Sequence, residues 1–199
     1  MKFPTTITDD VLIMLADRAV EILPWDTWSA PCVFGIARSG LPIAQAVFNG
    51  LSRVMHGVSI ATLNPYSDVQ PIFATPDVRT AIIADNAVTT GKTIKWAHQT
   101  LYNAGVQPTA VIRFFDREEV SPAGDAIIET LKDDMNLKLF SLFRIRDLLP
   151  DLHLPDSERQ AILNQLVRFG THAIQTYLEE TYVFQNNAWA IRREDSAKS

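Results

Sequence analysis

The sequence is short of the residues behind much covalent and metal chemistry. Cys32 is the single cysteine among 199 residues, which excludes an internal disulfide and a cysteine-based metal cluster. The four histidines, His56, His98, His153 and His172, lack metal-ligand spacing and read as surface or helix residues. No apolar run approaches the length of a membrane-spanning helix. The N-terminal MKFPTTITDD turns polar too early for a signal peptide, so a soluble cytoplasmic protein is expected. Basic residues are outnumbered, 18 Lys and Arg against 23 Asp and Glu, for a net charge of −5. That argues against a general nucleic-acid binder, though not against a local basic pocket. Internal repeats and low-complexity segments are missing too. Against these absences, 47% hydrophobic and 21% charged residues are ordinary values for a globular chain with a real core.

What the chain does have is a series of strand–loop–helix units. The one around residues 80–93 is the most informative. An apolar run from Ala81 to Ala84, with Ile82 and Ile83 inside it, reads as a strand buried on both faces. Asp85 and Asn86 stand at its end, Thr89, Thr90 and Gly91 follow, and a helical pattern begins at Lys92. A strand, a hydroxyl-bearing turn with a glycine and a helix start aim free N–H groups and a positive dipole end at one spot, which suits a phosphate. A second such unit runs from the apolar Cys32–Ile36 through Ala37-Arg38-Ser39-Gly40 into a helix from Leu41 to about Arg53, with Pro42 in its first turn. Its loop is another plausible anion cradle.

The remaining elements fit the same plan. Thr8-Asp9-Asp10 opens a helix that Pro24 stops, with Val11, Leu12, Met14, Leu15, Ala19, Val20 and Ile22 on its apolar face. Strands are expected over 57–63, 109–115 and 137–143, and a helix from Ser121-Pro122 to Leu131. The helix after the 85–91 turn should end at Gly105. Residues 64–78, with three prolines, read as a loop and a candidate lid. From Pro155 one long helix is expected through Glu180, then a strand or extended piece over 182–191 and a frayed tail. Strands alternating with helices predict an α/β fold: a mainly parallel sheet with helices on both faces. Ligands bind such sheets beyond the carboxyl ends of the strands, where the loops 37–40, 85–91 and 116–119 all fall. The expected organisation is an α/β domain over 1–150. A C-terminal helix, extended segment and tail over 151–199 would pack on it or on a partner subunit.

With these motifs laid out, a family likeness is visible. IIADNAVTTGKT resembles the 5-phosphoribosyl 1-pyrophosphate (PRPP) motif of the type I phosphoribosyltransferases: an apolar strand, two acids, two variable residues, then Thr-Thr-Gly-Gly-Thr or close to it. GIARSGLPIA at 35–44 is similar to that family's pyrophosphate loop. VIRFFDREE at 111–119, followed by a helix and LKLFSLFRIRDLL at 137–149, resembles its orotate phosphoribosyltransferase branch. The likeness covers residues 30–149, with the three motifs in register. It implies that Val88, Thr89, Thr90, Gly91, Lys92 and Thr93 hold the 5-phosphate through backbone N–H groups and hydroxyls. It implies that Asp85 accepts hydrogen bonds from the ribose 3- and 2-hydroxyls and meets a metal only indirectly, through ribose or water. Ala37, Arg38, Ser39 and Gly40 would bind pyrophosphate with Mg²⁺. Arg38, Asp85 and Asn86 would be the catalytic set. Asp116 and Arg117 would contact the base, with an ion pair between the two as the structural alternative. The implied partners are PRPP and a nitrogenous base or nucleotide, with no nucleic acid and no membrane; a homodimer is implied as well.

Three departures bear on activity. Asn86 stands where the family has its second acid, and Lys92 where it has its second glycine. The stretch matching the orotate branch's basic mobile loop, 64–78, contains no Lys, Arg or His; Arg79 follows it. Two functions are therefore expected in competition. One is Mg²⁺-dependent transfer of a 5-phosphoribosyl group to or from a base, a pyrimidine such as orotate first among them. The other is a weak or inactive PRPP- or nucleotide-binding regulatory protein. The triplet Gly91-Lys92-Thr93 invites a nucleotide-hydrolysing P-loop reading, which fails because Asn86 occupies the position of that motif's first glycine.

Overall fold

The computed structural model describes residues 8–66, 78–88, 90–120, 131–133, 135–185 and 188–191. The chain divides into two compact units, Met1–Asp116 with Ile127–Phe143, and Arg117–Ala126 with Arg144–Ser199.

The first unit is built on a five-stranded sheet of order β2-β1-β3-β4-β5. In chain order it runs α1 (Asp9–Ile22), β1 (Cys32–Ile36), α2 (Leu41–Val54), β2 (Ser59–Leu63), β3 (Thr80–Asp85), α3 (Lys92–Asn103), β4 (Gln107–Asp116) and β5 (Lys138–Arg144). β1 pairs in parallel with β2 and β3, and β3 in parallel with β4. The mainly parallel α/β architecture expected from the alternation is therefore the observed one.

Side chains alternate across the strands and divide the core into two layers. Val33, Ile82, Ala84, Ala110 and Ile112 face α1 and α2 through Leu15, Ala19, Ile43, Val47 and Leu51. Phe34, Ile36, Ala81, Ile83 and Val111 face α3 through Ile94, Ala97 and Leu101. Trp96 packs against that second layer, as a core residue would. β4 starts two residues earlier than expected, at Gln107, in spite of Pro108. The ladder shifts register there, from Ala81 opposite Pro108 to Ile82 opposite Ala110, and the Thr109 hydroxyl donates to the Ala81 carbonyl. A bulge is where a strand tolerates the missing proline N–H.

The second unit holds α4 (Ile145–Leu148), α5 (Asp156–Phe169), α6 (His172–Thr181) and an antiparallel hairpin of β6 (Tyr182–Gln185) and β7 (Ala188–Ile191). The single helix expected through Glu180 is in fact two. Gly170 leaves the helix with extended backbone, and Thr171 caps α6 by accepting the Ile174 N–H. Neighbouring backbone holds the break open: Val120 N–H donates to Phe169 and Thr171 N–H to the Glu118 carbonyl. The expected extended piece over 182–191 is this hairpin. The expected helix over 121–131, apart from Leu131 at its end, and most of the candidate lid, 67–77, lie outside the described residues.

Candidate active site

The site starts from parallel pairing. Because β1 and β3 are neighbours in register, with Gly35 opposite Ala84, the turns that leave their carboxyl ends lie side by side. The 37–40 turn closes on itself through the Gly40 N–H to Ile36 O bond at 2.8 Å, and Gly40 O then accepts the first bond of α2 from Ala44. The peptide between Ala37 and Arg38 is cis. Arg38 and Ser39 are exposed and Gly40 is buried. Among the described residues the Arg38 guanidinium has no hydrogen-bond or ion-pair partner.

Across the gap, β3 delivers Asp85, which is 8% exposed. One carboxylate oxygen, Oδ1, accepts the Asn86 N–H at 2.7 Å and the Ser39 hydroxyl at 3.4 Å. Burial raises the Asp85 carboxyl above its usual range, and these two donors oppose the rise. Asn86 is used through its backbone, its carbonyl accepting the Phe115 N–H from β4 at 3.1 Å. Gly91 then opens α3 in the left-handed region, φ 67° and ψ −4°, a conformation that suits glycine. Val88 is half-buried, while Thr90, Lys92 and Thr93 are exposed at the helix start; Thr89 lies outside the described residues. Among the described residues no side-chain hydrogen bond caps α3; a helix start of this kind leaves its first N–H groups without intrahelical partners, a geometry that suits an anion.

The residues expected at the base end separate. Asp116 ends β4 and pairs not with Arg117 but with Arg113, a guanidinium 4% exposed that also donates to the Ser141 hydroxyl at 2.8 Å. Arg117, in the second unit, pairs with Glu119 at 3.3 Å. The expected alternative of an Asp116–Arg117 pair is thus corrected. A network that sequence reading missed surrounds Glu118, which is 5% exposed and held in the left-handed region at φ 53°. Its carboxylate accepts the Arg146 side chain at 2.6 Å and the Arg146 backbone N–H at 3.2 Å. Glu118 and Arg146 are 28 residues apart, and no local spacing in the sequence signals the pair.

Among the described residues no group of three or more His, Cys, Asp or Glu side chains could hold a metal, and no helix is long and apolar enough to cross a membrane. One buried carboxylate beside exposed phosphate-type loops suits Mg²⁺ that arrives with its ligand, since that ion commonly keeps waters and is held by one or two carboxylates plus substrate phosphates.

Comparison with known proteins bears on the fold. No protein-family profile matches the chain. It is 22% identical over 149 residues to an orotate phosphoribosyltransferase of Methylococcus capsulatus, covering 71% of this chain and 70% of that protein. It is 28% identical over 114 residues to the transcriptional regulator GfcR of Methanobrevibacter smithii, covering 51% of this chain and 56% of the regulator. The crystal structure of an orotate phosphoribosyltransferase from Francisella tularensis superposes with a TM-score of 0.64 at 16% identity, covering 82% of each chain. The Mycobacterium tuberculosis H37Rv orotate phosphoribosyltransferase in complex with PRPP superposes at 0.52 and 16% identity, covering 69% of this chain and 75% of that one. The shared fold and the sequence likeness bear out the resemblance to the type I phosphoribosyltransferases and to their orotate branch.

Proposed function

We propose that the chain binds PRPP with Mg²⁺ and transfers its 5-phosphoribosyl group to or from a nitrogenous base, a pyrimidine such as orotate being the first candidate. The observation that carries this reading is the meeting of two anion-type turns at Ser39 and Asp85, one of them opened by Gly91 at the start of α3. A doubly anionic ligand with hydroxyls between its charges matches that layout. In the proposed complex the α3 N-terminus and the Thr90 hydroxyl hold the 5-phosphate. Asp85 accepts from the ribose hydroxyls. The 37–40 turn, with Arg38, receives pyrophosphate as the bond to ribose C1 breaks. Charge then grows positive on the ribose and negative on the leaving group, so fixed groups aimed at both centres supply most of the rate. Bound Mg²⁺ would add charge neutralisation at the departing pyrophosphate.

PRPP is expected to raise the chain's melting temperature, and pyrophosphate release is expected with at least one base from a panel. Absence of any shift with PRPP or with a nucleotide would sink the proposal. Thr90→Val keeps the shape and removes the hydroxyl at an exposed position. It should leave the unliganded melting temperature unchanged and weaken PRPP binding about tenfold, as loss of a hydrogen bond to a charged group does.

A second reading, a binding protein without turnover, is favoured by Asn86 in the acid position and by the likeness to a transcriptional regulator. Saturable PRPP binding with no pyrophosphate release across the panel would select it. Asn86→Asp bears on both readings: restoring the charge beside the cationic ribose should raise turnover about tenfold, equivalent to about 1.4 kcal/mol off the barrier. Unchanged turnover in that variant would place any defect elsewhere.

A further inference from the structure

The Ser39 hydroxyl has two possible acceptors, which belong to different halves of the site. In the structure it donates to Asp85 Oδ1 across 46 residues of sequence. Yet Ser39 is exposed and lies in the turn beside Arg38, where a bound pyrophosphate oxygen would compete for the same proton. The backbone around it has little freedom to adjust. A Cβ built on Gly40 would stand 2.3 Å from the Ala84 carbonyl oxygen, so the turn already rests on the end of β3. The hydroxyl can move by rotation about one bond between staggered wells. Asp85 notices the difference, because it is buried and, among the described residues, Ser39 is one of two donors to its Oδ1.

We infer that Ser39 is a positioning residue that couples the two halves of the ligand: pyrophosphate in the 37–40 turn draws the hydroxyl away and leaves Asp85 a stronger acceptor for the ribose hydroxyls. The inference rests on the PRPP reading above. Coupling between two sites is reciprocal, so a ribose phosphate on Asp85 releases Ser39 for pyrophosphate in turn. Repulsion between the two anions acts against this, but it is the same with or without the hydroxyl and cancels between variants.

The test is calorimetric titration of the intact chain with Mg²⁺-pyrophosphate, with and without saturating ribose 5-phosphate. In the wild type, ribose 5-phosphate should shift the pyrophosphate affinity about tenfold more favourably than it does in Ser39→Ala, a coupling within the usual range. Ser39→Thr keeps the hydroxyl and should restore the wild-type factor, which a merely structural role for Ser39 would not require. The same factor in wild type and Ser39→Ala, with both ligands binding, would overturn the coupling alone. Failure of the wild type to bind either ligand would overturn the PRPP reading along with it.

Discussion

Asp85→Asn should make the chain more stable and nearly blind to PRPP. The wild-type carboxyl is buried, and burial raises its pKa above the ordinary 3.8 in spite of its two donors. The folded state therefore holds this proton more tightly than the unfolded state. That contribution is fully present below 3.8 and is lost as pH rises through the raised folded value. At neutral pH the chain carries the cost of a buried charge. Asparagine is nearly isosteric, keeps an acceptor for the Asn86 N–H and the Ser39 hydroxyl, and has no charge to desolvate. Thermal unfolding followed from pH 4 to 8 should show the variant's advantage widening with pH, by about 2–4 °C for each kcal/mol recovered in a chain of this size. In the same samples the PRPP-induced shift should collapse, because each ribose hydroxyl bonded to a charged acceptor is worth about 1.5–3 kcal/mol. A variant no more stable at pH 8 than at pH 4, relative to wild type, would show that burial does not govern this carboxyl. Greater stability with less binding is the pattern expected where a residue is kept for its ligand rather than for the fold.

The central part of the chain was legible because its signals are local. Apolar runs such as Ala81–Ala84 could be read as buried strands, and Gly105 as a stop after α3, from a few adjacent residues. The two phosphate-type turns were legible for the same reason, each being one contiguous strand–turn–helix. What escaped was set by distant partners. Nothing near Asp116 announces Arg113 as its partner rather than Arg117; the pairing depends on β4 ending with both groups buried beside Ser141 of β5. The break between α5 and α6 carried a local signal, Gly170 followed by Thr171, that the apolar periodicity on either side outweighed. Backbone bonds from Glu118 and Val120 decide the matter there. The Ser39–Asp85 link needs β1 and β3 as neighbours, a consequence of strand order that no spacing in the sequence encodes.

Position 86 shows why the fold and the activity have to be tested separately. Asn86 donates its N–H to Asp85 and accepts from Phe115 through its carbonyl, and both bonds are made by backbone. Any residue able to adopt this backbone can serve the architecture. The exchange of an acid for an amide therefore falls on the chemistry, through the charge offered to a cationic ribose. A chain with this substitution can keep the fold and the ligand while losing rate, which is why turnover rather than binding separates the two functional readings.

Gly40→Ala should disable the pyrophosphate half of the site through packing alone. Gly40 has φ −77° and ψ −14°, a helical conformation open to any residue, so the added methyl meets no backbone penalty. It meets three backbone atoms instead, at 2.3 Å from Ala84 O and 2.8 Å from Ile36 N and O. None is the end of a flexible side chain, so the turn itself must lift from β3. Overpacking of this kind costs about 1–3 kcal/mol, and here the displaced element carries Arg38 and Ser39. Pyrophosphate binding should fall by more than about tenfold, and the ribose 5-phosphate coupling should shrink because Ser39 moves off Asp85. Gly105→Ala is the matched control. Its φ of 78° makes alanine strained, by about 1–2 kcal/mol, but a Cβ there has nothing within 4 Å and the residue lies at the far end of α3. Both variants should melt earlier than wild type, and only Gly40→Ala should lose pyrophosphate. Equal loss of binding in the two would mean that the 37–40 turn is no more tied to pyrophosphate than the rest of the fold.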